Sequence, residues 1–186
     1  MKIALVVGHR KGKQGAYGSV GLSEWRYNGI LAVDLVEVAQ QNGIDACVFF
    51  RDEMPGGYGE RMNRLHERID AWGADISISL HFNAAGRDDI NGHEILYCSH
   101  RGRVIAEMLD SEFDRCLKNR DRNIKRRTRK QRGGGFLCRG KSVCILVEPF
   151  FAAHQHKFVK GTDGYADMLR AYGAFFDRLK GGRHAA

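Results

Sequence analysis

Four short apolar runs, each closed by a polar or charged residue or a glycine, constrain the fold of this 186-residue chain more than any other feature. Residues 2–7 stop at Gly8, 46–50 at Arg51, 75–80 at His81, and 142–147 at Glu148 and Pro149. Runs of this length, rich in β-branched residues and bounded by turn signals, read as buried strands. A fifth segment, 94–98, is strand-like. Helical spacing fills the intervals. Residues 23–41 carry Ile30, Ala32, Val33, Leu35, Val36 and Val38 on a broad apolar face, with Ser23 as N-cap and Asn42-Gly43 as the stop. Further helices are expected over 60–72, 104–118 and 162–179, with a loop at 54–59 and a glycine-bearing loop at 133–135. Strands alternating with helices predict an α/β fold, a single domain with a mostly parallel or mixed central sheet and helices on both faces.

Charge and cysteines set further expectations. The formal net charge is +8, and much of the excess lies in residues 118–132, KNRDRNIKRRTRKQR. Such a stretch attracts polyanions. It has no interleaved aromatics and no reading helix, so a solvated basic loop or helix is preferred over a nucleic-acid arm, and no nucleic-acid partner is expected. The five cysteines are an odd number without a C-x-x-C pair, which predicts reduced thiols and no disulfide framework. The leading apolar run, residues 3–7, is too short for a signal-peptide core, and no later run reaches a membrane-spanning length. Synthesis in the cytoplasm without a signal peptide, and a monomeric state, are the expectations.

The chemistry rests on where polar residues fall. His9 and His81 follow strands, Glu148 follows another, and Glu24 opens the first helix, a favourable place for a carboxylate. Carboxyl ends of strands in open α/β sheets line the ligand crevice, so these distant segments are expected to meet at one rim. Two histidines and a carboxylate with a second carboxylate nearby is the donor pattern of hydrolytic zinc sites. A lone histidine after a strand is more often hydrogen-bonded structure; the agreement of all four residues is what favours a site. The pair His154 and His156 sits in a polar loop and is not expected to bind metal. His93 and His100 are expected in loops or at the surface, and Glu94 to shape the rim. Asn83 is a candidate for orienting a ligand or touching substrate, while Phe82, Tyr17 and Tyr58 lie near the ligands and are candidates for a substrate groove. Trp25, Tyr27 and Trp72 read as packing residues.

Several segments carry a resemblance. VVGHRKGKQGAYG with His9, LSEWRYN with Glu24, SISLHFNA with His81, NGHEILY, and SVCILVEPFF with Glu148 occur in an order similar to that of the zinc-dependent N-acetylmuramoyl-L-alanine amidases of the amidase-3 type, found among bacterial cell-wall enzymes and phage endolysins. Ser79-x-His81-x-Asn83-Ala84 is the most specific piece. Pro149 and Arg10 stand where the family commonly has glycine. The resemblance implies one Zn2+ held by His9, Glu24 and His81, Glu148 as catalytic acid/base, and peptidoglycan as substrate. It also implies a catalytic domain over 1–180 with a polar tail at 181–186 and no separate wall-binding domain, acting on the cell wall after release, as an endolysin would. Two alternatives stay open: a zinc carboxypeptidase or related deacylase, against which the missing H-x-x-E turn after His9 speaks, and a non-catalytic basic envelope-binding protein.

Overall fold

The computed structural model describes residues 1–51 and 53–182. In order, the elements are β1 (Lys2–Val7), α1 (Glu24–Gln41), β2 (Asp45–Phe50), α2 (Tyr58–Trp72), β3 (Ile76–Leu80), β4 (His93–Tyr97), α3 (His100–Cys116), β5 (Asp121–Arg126), α4 (Gly134–Leu137), β6 (Val143–Glu148) and α5 (Asp163–Gly181), with a 3-10 turn at Ala152–Lys157. The strands form one mixed sheet in the order β2-β1-β3-β6-β4-β5. β1, β2, β3 and β6 run parallel, β4 is antiparallel to β6, and β5 is parallel to β4.

Alternation along buried strands divides the core into two layers. Ile3, Leu5, Val7, Ile78, Ile145 and Val147 face one way, against α1, α3 and α5; Ala4, Val6, Leu96 and Leu146 face the other, against α2 and α4. One single-domain α/β sheet with helices on both faces is therefore observed. Because β4 reverses direction, its first residues lie beside the last of β6, with Glu94 opposite Glu148. The carboxyl ends of β1, β3 and β6 and the amino end of β4 thus share a rim.

Ser23 caps α1, its hydroxyl accepting from Arg26 N at 3.3 Å. The helix buries Tyr27, Leu31, Leu35 and Ala39, a stripe narrower than the broad face expected, and leaves Ile30 and Val33 exposed. At 3.6 residues per turn the positions 27, 31, 35 and 39 stack on one side, and residues 30 and 33 fall off it.

Three expectations need correction. Residues 121–126 of the basic segment form a strand. Its sequence, DRNIKR, has one apolar residue, which is how an exposed edge strand discourages pairing with other chains, and it conceals the strand from hydrophobic patterning. His93 is neither loop nor surface; it opens β4 and is 0% exposed. Cys98 and Cys138 are disulfide-bonded, so not all thiols are free. Spacing was silent here because β4 and α4 come together only in the folded sheet. The bond ties the end of α4 to the residue that follows β4, on the face of the sheet that α2 and α4 cover. Of the polar tail, Gly181 still belongs to α5, and residues 183–186 lie outside the described residues.

The disulfide closes a loop with a sequence separation of 40, worth about 4 kcal/mol in the chain-entropy model. Reduction, or replacement of both cysteines by serine, is expected to lower Tm by roughly 10 °C. Calorimetry with and without reductant reads this directly, and an unchanged Tm would refute it.

Candidate metal centre and catalytic cleft

β1 ends in a sharp bend. Gly8 N donates to Leu80 O at 2.9 Å, and a Cβ on Gly8 would stand 2.5 Å from that carbonyl and 2.6 Å from His81 Cε1, so only glycine lets the two strand ends approach this closely. His9 follows at φ 65°, a left-handed conformation that costs a non-glycine residue about 1–3 kcal/mol and recurs at functional sites. The bend turns its imidazole toward α1. Gly15 closes the loop from the other side at φ 81°, where a Cβ would fall 2.5 Å from Glu24 Oε2.

Glu24 is the hub. It is 5% exposed, and Oε2 lies 2.9 Å from His9 Nε2 while Oε1 lies 3.2 Å from His81 Nδ1. Ala16 N donates to Oε2 at 2.9 Å and Phe82 N to Oε1 at 3.3 Å. Burial alone would raise this carboxyl, but the hydrogen bonds and charges of His81 and His9 outweigh it and hold the pKa well below the usual carboxylate range. Burial also lowers the pKa of His81, against the opposing pull of Glu24. An ionised carboxylate beside a neutral imidazole is the state that metal ligands must reach. The donor atoms of His9, Glu24 and His81 lie within 4.8 Å of one another. Two imidazole nitrogens and a carboxylate oxygen so clustered fit a catalytic zinc ion.

These residues line a cleft of about 480 Å³ that also contains Glu148, Asn83, Arg132 and Tyr58. Glu148, the last residue of β6, is 1% exposed. Its Oε1 pairs with Arg132, and its Oε2 is buried without a hydrogen-bond partner among the described residues. Burial pushes the carboxyl up to about 7, against the lowering charge of Arg132 and with help from Glu94. A carboxyl poised there takes and returns a proton near neutral pH.

Asn83 is buried, its Oδ1 accepting from Ala84 N at 3.0 Å and lying 3.4 Å from Arg132. Phe82 is 1% exposed, its ring stacked on Phe150 and set edge-on to Tyr27, with only its backbone N–H reaching Glu24. Tyr17 is 65% exposed and stands apart from the residues lining the cleft. Tyr58 lies in the cleft wall, under the guanidinium of Arg51 at 5.6 Å. His156 bonds Ser19 at 3.1 Å, and neither it nor His154 joins a metal-sized cluster among the described residues. Arg132 was missed as a site residue, submerged in a basic run. The only signal was its position directly before the glycines 133–135, where a loop can swing back over the sheet.

Comparisons with known proteins point to one family. The N-acetylmuramoyl-L-alanine amidase family description matches residues 3–168. Among solved structures, the catalytic domain of CwlV, an N-acetylmuramoyl-L-alanine amidase from Bacillus (Paenibacillus) polymyxa var. colistinus, is 16% identical with a TM-score of 0.79 over 97% of this chain and 98% of that one. An N-acetylmuramoyl-L-alanine amidase from Clostridium difficile 630 is 21% identical with a TM-score of 0.77 over 96% and 95%. The catalytic domain of the CD27L endolysin targeting Clostridia difficile is 25% identical, with a TM-score of 0.75 over 93% and 96%. No curated protein sequence matches significantly. With a family match that begins in β1 and ends within α5, so enclosing every strand of the sheet and the whole cleft, the chain belongs to the N-acetylmuramoyl-L-alanine amidases.

Proposed function

We propose that this chain cleaves the amide between N-acetylmuramic acid and the L-alanine of the stem peptide by a zinc-dependent route, with one ion held by His9, Glu24 and His81 and with Glu148 as the proton carrier. The observation that carries this reading is the meeting of the three donor atoms and a buried carboxyl of raised pKa in one cleft. Zinc bound there supplies Lewis acidity to the scissile carbonyl and to the attacking water. Glu148 Oε2, which has no hydrogen-bond partner among the described residues, accepts the proton of that water and delivers it to the departing alanine nitrogen. Arg132 holds Oε1 and so leaves Oε2 as the working atom. The His9–Glu24 and His81–Glu24 contacts keep the ligands aligned before metal arrives. Asn83 is proposed to contact substrate beside Arg132. Purified sacculi digested by the protein should show EDTA-sensitive, zinc-restorable activity; hydrolysis that survives complete metal removal would refute the zinc route.

The sign of the pH dependence follows from Glu148. The base form must be ionised, so activity falls as pH drops through its pKa, giving an acid limb near pH 7. A cation on the three ligands lowers that value further, so the limb of the loaded enzyme sits at or below pH 7. Arg132 lowers the Glu148 pKa, so Arg132→Ala is expected to move the limb upward. Because the Arg132 side chain is 60% exposed, solvent screening keeps the move to about one pH unit or less. A pH–kcat profile reads it, and a limb displaced downward would contradict the assignment.

A bacteriolytic, endolysin role on the cell wall is the finer proposal, supported by the likeness to the CD27L catalytic domain and by the +8 charge, which favours an anionic envelope. Arg129, Lys130, Arg132 and Arg139 line a shallow groove continuous with Tyr58 and the cleft. Loss of turbidity in permeabilised cells, steeply weakened by salt, is the expected result. No helix among the described residues is long and apolar enough to cross a membrane.

A further inference from the structure

The buried histidine that opens β4 serves no purpose in the cleft, since its ring lies on the opposite face of the sheet, edge-on to Phe113 of α3. Its hydrogen bonding can be worked out. Asn119 Nδ2 donates to Pro149 O at 2.8 Å, so the Asn119 atom turned to His93 Nδ1, also at 2.8 Å, is the amide oxygen. That oxygen can only accept, and Nδ1 must therefore carry the hydrogen. In the neutral ring Nε2 is then a bare lone pair, and it has no hydrogen-bond partner among the described residues.

What faces that lone pair is three carboxylates. Asp114 Oδ1 lies at 3.5 Å, Asp110 Oδ1 at 3.6 Å and Asp121 Oδ1 at 3.8 Å. Asp110 Oδ1 is itself buried and, among the described residues, without a hydrogen-bond partner. Asp121 Oδ1 receives one backbone N–H, from Asn123 at 2.6 Å, which fixes its direction without neutralising it. Acceptors converging in a partly buried space need a positive centre among them. A proton on Nε2 would draw one carboxylate to about 2.7–2.9 Å and leave the others. The near-equal separations of 3.6 Å to Asp110 and 3.8 Å to Asp121 are instead those of ligands around one ion bonded at about 2.0–2.2 Å to each.

The geometry points to a second metal site, separate from the cleft, in which His93 Nε2, Asp110 and Asp121 hold a divalent transition-metal ion, with Asp114 beside it. One imidazole with carboxylate oxygens suits zinc or manganese. The donor atoms of His93, Asp110 and Asp121 lie within 4.8 Å of one another, as those of the first site do. Asn119 orients the ligating ring, a role that the outer partners of metal-bound histidines commonly fill. The ion joins three elements, β4 through His93, α3 through Asp110, and β5 through Asp121. It pins the edge strand to the sheet, and through Asn119 it braces Pro149, the residue that follows Glu148. Asp114 is half-exposed, giving the ion a way in from solvent.

The test counts metal. Protein equilibrated with excess zinc and then desalted is expected to hold two equivalents by mass spectrometry of the elements. His81→Ala should hold one, and the double variant Asp110→Asn with Asp121→Asn should also hold one. One equivalent in the native protein together with none in His81→Ala overturns the proposal. Should the Asp variants fail to fold, the thermal response of His81→Ala decides. Zinc at a hundredfold excess over Kd should raise its Tm by roughly 5 °C, and an unmoved Tm counts against the site.

Discussion

Glu148→Gln is expected to lower peptidoglycan hydrolysis by about 10³-fold while leaving the zinc content of the protein unchanged. The side chain keeps its shape and loses only its capacity to carry a proton. None of the three proposed ligands contacts it by hydrogen bond, since Oε1 pairs with Arg132 and Oε2 has no partner among the described residues. The variant should also be more stable in the metal-free state at neutral pH and above. Burial raises the Glu148 pKa from 4.5 to about 7, so the folded chain prefers the protonated acid. The stability this group contributes is present below the unfolded pKa and is lost as pH rises through the folded one. Removing the ionisable group relieves a cost of roughly 3 kcal/mol at pH 8 and almost none at pH 4. Arg132, largely solvated, takes no buried charge with it when its partner disappears. A residue that weakens the fold and is needed for the reaction is the signature of a functional group. Activity retained within tenfold, or a Tm gain independent of pH, would contradict the role.

His81→Ala should remove the cleft's ion and with it the reaction. The loss is expected at about 10³-fold or more, the several kcal/mol that a Lewis acid contributes. The damage is compounded at Glu24. Its carboxyl stays ionised in a buried place because of His81 first and His9 second among the opposing interactions. Without His81 the burial penalty grows relative to its compensation, and Glu24 becomes a poorer ligand. Zinc content should fall by one equivalent relative to native protein, and the zinc-induced rise in Tm should shrink correspondingly. Full activity with undiminished zinc would show that His81 is not a ligand.

How legible the fold was depended on burial. β1, β3 and β6 are covered on both faces, so their sequences are nearly continuous apolar runs that name themselves. β5 lies at the edge with charged residues on a solvated face, and no hydrophobic period marks it. The disulfide was invisible for a related reason: Cys98 and Cys138 meet only because α4 packs over β4 and β6. Within the site, His9 and His81 could be placed from strand ends alone. Glu24 needed the loop that returns through Ala16 to bring α1 under both histidines, and in advance it was marked mainly by the resemblance and by its place at the start of the first helix. Arg132 and His93 were hidden by composition. The first looked like one of many surface cations, and the second like a polar residue after a glycine turn, because nothing local records that β4 runs backward along the rim.

The most direct test is mass spectrometry of muropeptides released from purified sacculi, with matched EDTA-treated and zinc-restored samples. Cleavage should yield stem peptides with free L-alanine amino termini and glycan strands whose N-acetylmuramic acid lactyl groups are free, in the native and zinc-restored samples alone. Cuts in the glycan or within the stem peptide, or the same products after complete metal removal, would contradict the account.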